Sequence, residues 1–150
     1  MKYFLSLTFL VCLFLFNCKS QDPVQKSTSK TETQLVGTKW VLSKLNGDPL
    51  NLSKSELEQP YIKLTKKDNG VGGNGGCNGF GGTFSLKENQ HIAFSQMMAT
   101  MKYCDENELE SVFMANLQKA YSYTLINDEL TFNDQNGYVL LTFKVAEDKK

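Results

Sequence analysis

Three hydrophobic rhythms follow one another along the chain. Tyr3 to Phe16 is apolar except for Ser6 and Thr8, Lys19 to Gln34 is almost wholly polar, and from Gly37 onward apolar residues alternate in short runs. Alternation with a period of two marks strands buried on one face. It sets Trp40 with Leu42, Ile62 with Leu64, Phe84 with Leu86, Ile92 with Phe94, Tyr121 with Tyr123 and Leu125, Leu130 with Phe132, and Val139 with Leu141 and Phe143. Between these runs lie Asn46-Gly47-Asp48-Pro49, Lys67-Asp68-Asn69-Gly70, Glu88-Asn89-Gln90, Asn127-Asp128 and Asp134-Gln135-Asn136-Gly137. Such residues tolerate left-handed backbone or preset a turn, so the short spacings predict hairpins. About seven or eight antiparallel strands suffice to curl into a small barrel or half-barrel. One stretch breaks the period: Asp105 can cap a helix with Glu108 as its third residue, and Leu109, Val112, Phe113, Leu117 and Ala120 recur at helical spacing. The expected fold is mainly β, with one helix from about Glu106 to Lys119 packed on one side or end of the sheet.

The first run has the form of an export signal. Lys2 supplies its positive start, and the apolar stretch is too short for a comfortable membrane span. Leu15-Phe16-Asn17-Cys18 at its end resembles the lipobox of bacterial lipoproteins, which implies cleavage before Cys18 and acylation of that residue. The alternative is an ordinary secretory signal in which Cys18 is incidental. Residues 1–17 are thus assigned to the signal and 18–34 to a lipidated tether. The tether has one Val and no aromatic residue, a composition that cannot offset the entropy of ordering. It would hold the folded part roughly 20–25 Å from the bilayer. Lys19 and Ser20 resemble an outer-membrane rather than an inner-membrane sorting code. The domain is expected over 35–145 and a disordered tail over 146–150.

Charge narrows the function classes. The chain has 16 basic and 16 acidic residues, and every basic residue is Lys. A neutral balance argues against nucleic-acid binding, and the absence of Arg removes the planar fork that grips phosphates bidentately. A single histidine, His91, speaks against His-based catalysis or a His-rich metal site, and alternation sets it on the solvent side of its strand. The acidic start of the helix (Asp105, Glu106, Glu108, Glu110) and its Lys119 end complement the helix dipole, a simpler reading than paired catalytic carboxylates. Without the signal, 15 basic residues face 16 acidic ones, which gives no net attraction to an anionic membrane.

Gly70 to Gly82 reads GVGGNGGCNGFGG, with eight glycines in thirteen residues. No Gly-Lys-Ser/Thr follows and a strand rather than a helix comes next, so a phosphate loop is disfavoured. Positive φ, bulges and close backbone approach at a tight corner of the sheet explain the glycines better. With Cys12 in the signal and Cys18 lipidated, Cys77 and Cys104 remain as an even pair in an oxidising compartment. A structural disulfide is favoured over a reactive thiol, which lacks the Cys-x-x-Cys spacing, and over a metal site, to which only His91 could be added.

Gly37-Thr38-Lys39-Trp40, Gly76-Cys77-Asn78-Gly79-Phe80, Gly82-Thr83-Phe84, Thr100-Met101-Lys102-Tyr103-Cys104 and Val139-Leu140-Leu141-Thr142-Phe143 together resemble the META domain (HslJ-like) family over about residues 35 to 145. That resemblance implies a lipocalin-like antiparallel barrel with one helix, a disulfide between Cys77 and Cys104, no catalytic residues, no cofactor and no metal. The function expected is a non-enzymatic envelope lipoprotein, anchored in the membrane through Cys18, with a binding or stress-related stabilising role toward an envelope protein. Asn78, Phe80, Met98, Met101 and Tyr103, with Met97, are the expected contact surface, largely apolar and adaptable beside a rigid disulfide, the alternative being that Phe80 and the methionines belong to the core. A carrier of a small apolar ligand is the alternative, with a thiol oxidoreductase using Cys77 and Cys104 more remote.

Overall fold

The computed structural model describes residues 34–53, 55–104 and 108–147. The signal, Cys18 and the tether up to residue 33 lie outside the described residues, as do the proposed helix cap at 105–107 and residues 148–150.

Ten strands, a short 3-10 turn (Lys67–Asn69) and an α-helix are present among the described residues: β1 (Lys39–Leu45), β2 (Asp48–Pro49), β3 (Tyr61–Thr65), β4 (Gly70–Asn74), β5 (Gly79–Lys87), β6 (His91–Phe94), β7 (Met98–Ala99), α1 (Glu108–Lys119), β8 (Ser122–Ile126), β9 (Glu129–Asn133) and β10 (Val139–Val145). Every pairing is antiparallel. Eight strands run in the order β1-β3-β4-β5-β6-β8-β9-β10, and β10 returns to β1 and closes the barrel. Closure removes the open edges that a sheet of this width would otherwise present. Two short strands lie outside the ring: β2 on β1, and β7 on β5.

The turns form where the local chemistry allows. Among the described residues, all seven non-glycine positions with positive φ, namely Asn46, Asp68, Asn69, Asn89, Gln90, Asn127 and Asp128, fall in the turn segments read from the sequence. Asn, Asp and Gly reach this backbone region at lower cost than other residues.

Inward positions of the strands build one core that includes Trp40, Leu42, Ile62, Leu64, Ile92, Leu130, Phe132, Leu141 and Phe143, each at most 2 % exposed. Two expected core positions lie elsewhere. Val139 is 40 % exposed because a bulge between Val139 and Leu141 breaks the alternation of β10. Tyr121 is 43 % exposed because β8 begins one residue later, and its ring stands on the rim against His91, 4.4 Å between centroids.

Both ends of the barrel are covered. At one end α1 inserts Phe113, whose ring lies 5.9 Å from that of Phe80 and 6.3 Å from that of Phe143, and Leu117 is fully buried beside it. Asn116 is buried on the same face, where its amide donates to Asn46 Oδ1 at 2.7 Å and to the Leu140 carbonyl at 3.3 Å. At the other end Leu35 is fully buried, and its carbonyl accepts from the Trp40 indole at 2.9 Å. The polypeptide stays tied beyond the last strand, where Ala146 N donates to Lys39 O at 3.0 Å.

Candidate functional site

The glycine-rich segment is two strands and a corner rather than a corner alone. Gly70–Asn74 and Gly79–Lys87 pair in register as β4 and β5, with residues 75–78 turning between them. Close approach explains the glycines more than turn geometry does. A Cβ on Gly73 would lie 2.0 Å from the Tyr61 carbonyl oxygen, and one on Gly75 would lie 2.8 Å from the Glu110 side chain. Within the segment only Gly76 has positive φ.

That close approach lets α1 reach the corner. Glu110 Oε1 accepts from the backbone N–H of Asn78 at 2.7 Å, and Oε2 accepts from the Asn78 side-chain amide at 2.9 Å. The other end of the Asn78 side chain faces the segment after β6. Its Oδ1 accepts from Thr100 Oγ1 at 2.8 Å and from Lys102 N at 2.7 Å, while Nδ2 also lies 3.4 Å from the Lys102 carbonyl. The Asn78 carbonyl accepts from Gly75 N at 2.9 Å. Asn78 is thus a buried hub whose polar atoms are satisfied on every side, an arrangement that specifies one geometry and tolerates little change.

Residues Ser95–Cys104 form a strap held along one edge. Ser95 N donates to Thr83 O at 2.9 Å, Met98 and Ala99 pair with Gly81 and Phe80, and Thr100 N donates to Gly79 O at 2.9 Å. Lys102 is held by Asn78, and Cys104 is joined to Cys77 by a disulfide, Cα atoms 6.3 Å apart. The strap's other side is open: Met98 is 82 % exposed, Met101 99 % and Tyr103 90 %. Beside it Gln96, Met97, Met114, Ala115 and Gln118 line a shallow groove of about 550 Å³. Every methionine after Met1 therefore lies on the strap or its adjoining groove.

The structure divides the expected contact surface. Met98, Met101 and Tyr103 stand in solvent, whereas Asn78 and Phe80 are each only 7 % exposed. Phe80 points inward because it alternates with glycines on β5 and meets the Phe113 ring. Met97 is half-buried against the core instead of free. The residue that sequence reasoning missed is Glu110. Its place in an acidic helix start suggested a dipole role, and only the fold brings it to Asn78, 32 positions away. Among the described residues no three His, Cys, Asp or Glu side chains gather as a metal site.

Residues 33–147 match the META domain family model. The chain belongs to the META domain family. Solved structures similar to this META domain include a protein determined by NMR, with 26% identity and a TM-score of 0.60, over 79% of this chain and 97% of the other. A protein from Burkholderia xenovorans, also determined by NMR, is 19% identical with a TM-score of 0.61, over 78% and 87%. A duf4847 family protein from Bacteroides vulgatus, determined by crystallography, is 13% identical with a TM-score of 0.55, over 76% and 96%. The last two support the fold alone. No curated protein matches the chain.

Proposed function

We propose that this protein is an envelope lipoprotein, anchored through Cys18, whose META domain binds a protein partner without catalysis. The observation that carries the reading is the exposed trio Met98, Met101 and Tyr103 on a strap fixed by a disulfide and by the Asn78 hub. Large apolar side chains held outward on a rigid support suit an interface, where Met adapts and Tyr anchors. The alternative, a carrier of a small apolar ligand, needs interior space. Trp40, Phe113, Phe132 and Phe143 are fully buried inside the barrel, and both barrel ends are covered, which favours the surface over the interior.

Lipidation is read directly by intact mass of the membrane-extracted protein, where an acylated Cys18 at the mature N-terminus is expected. Crosslinking in cells followed by co-purification tests the partner. A reproducible partner lost on combined Met98→Ser, Met101→Ser and Tyr103→Ser substitution is expected. No reproducible partner would overturn the binding role, and an unacylated mass would overturn the anchor.

A further inference from the structure

The strap offers more than side chains, because from Met98 to Lys102 the bonds of its main chain among the described residues run to one edge only, whereas the Ser95 carbonyl farther back accepts from Gln118 Nε2 of α1 at 2.8 Å. Thr100 N bonds inward to Gly79 O, and Lys102 N bonds inward to Asn78 Oδ1, with the Lys102 carbonyl 3.4 Å from Asn78 Nδ2. The Asn78 amide thereby stands in for the next residue of a neighbouring strand and prolongs the β5 edge beyond Gly79. In an extended chain alternate residues turn their N–H and C=O to opposite edges. If Thr100 and Lys102 face β5, then Ala99, Met101 and Tyr103 face away, and among the described residues β7 has no strand on that side. The other added strand is guarded: β2 ends in Pro49, which cannot donate.

We infer that the strap's outer edge takes an extended segment of the partner protein by strand addition, pairing with the main chain of Ala99, Met101 and Tyr103. This rests on the strap being the binding surface and adds how it binds. The chemistry of the edge specifies the occupant. Donors and acceptors repeating every second residue match only another extended backbone, and Met101 and Tyr103, sharing a face, call for apolar side chains at alternate positions of the incoming strand. Lys102 is exposed on the same strap, and an acidic residue in the incoming segment would complement its charge. The disulfide and Asn78 keep the edge extended before the partner arrives, which reduces the ordering cost of binding.

The test uses the exported full chain in detergent and a pool of nine-residue acetylated peptides. Each peptide alternates Thr with Val, Ile, Leu, Phe or Tyr and contains one Glu. The expected result is that bound peptide slows amide exchange at Ala99, Met101 and Tyr103 by about tenfold or more, while Thr100 and Lys102, already bonded inward, change little. Methylating alternate peptide nitrogens, or substituting Met101→Pro, should weaken binding about tenfold. The disulfide count and circular dichroism of the Met101→Pro chain check that it is folded. Strand addition is overturned if no peptide binds below about 1 mM, if N-methylated peptides bind equally well, or if protection spreads evenly over all five amides. Protection at the three amides that rises with protein concentration alone would make the occupant a second copy and overturn the partner segment. If crosslinking finds a partner that depends on Met98 and Met101 while N-methylation has no effect, the surface stands and strand addition fails. If no partner is found, it is the binding role that fails.

Discussion

Asn78 and Glu110 are joined twice, once through the Asn78 backbone N–H at 2.7 Å and once through its side-chain amide at 2.9 Å. The carboxylate of the helix thus fixes the glycine-rich corner, and the remaining oxygen of the same asparagine fixes the strap. A helix, a hairpin and an edge segment share one buried residue. Removing it should disturb all three.

Asn78→Ala should lower unfolding free energy by about 3 kcal/mol, because it leaves Glu110 Oε2 and the Lys102 N–H without their partners in a part-buried place, while Glu110 Oε1 keeps the backbone N–H of residue 78. Urea unfolding measures this. Glu110→Gln should cost less, since an amide oxygen can still accept one of the two bonds. Equal losses would mean that the helix contact, and not the strap, carries the hub.

Replacing Cys77 and Cys104 together with Ala should cost about 3–4 kcal/mol, from the entropy of a loop that spans 27 positions. The barrel should still form, because its closure by β1 and β10 does not involve the bridge. Thermal melts and amide exchange would show the loss, with the strap amides exchanging first. Loss of all native structure would show that the bridge is needed to fold.

Gly73→Ala should be severely destabilising, at roughly 3 kcal/mol or more, since the new methyl would meet the Tyr61 carbonyl oxygen, which is backbone and cannot swing aside. Gly81→Ala, where the nearest atom would be 3.8 Å away, is the control and should cost under about 1 kcal/mol. Comparing denaturation midpoints of the two variants checks that the glycines serve close approach.

Phe113→Ala should cost about 3–5 kcal/mol, because the ring fills the barrel end between Phe80 and Phe143. Met101→Ser, on a side chain 99 % exposed, should change stability by under about 0.5 kcal/mol. The same chemical denaturation series reads both. A large loss at Met101 would move that residue from the proposed binding surface to a structural role.

The sequence by itself determined seven of the eight barrel strands, the turns and the helix, because these follow from the residues nearest in the chain, whereas β4 lay hidden in the glycine segment read as a corner. Period-two runs gave the core-facing positions from Trp40 to Phe143, and Asn, Asp and Gly marked the turns where positive φ is found. An even pair of cysteines behind an expected export signal was enough to favour the bridge. Only the tertiary structure decided what depends on distant partners. Barrel closure joins β1 to a strand about a hundred residues later, and the Asn78–Glu110 contact crosses 32 positions with no local pattern to announce it. Burial of Phe80 and exposure of Met101 were likewise undecided in one dimension. Both are large and apolar, and which of them meets Phe113 depends on where the helix packs.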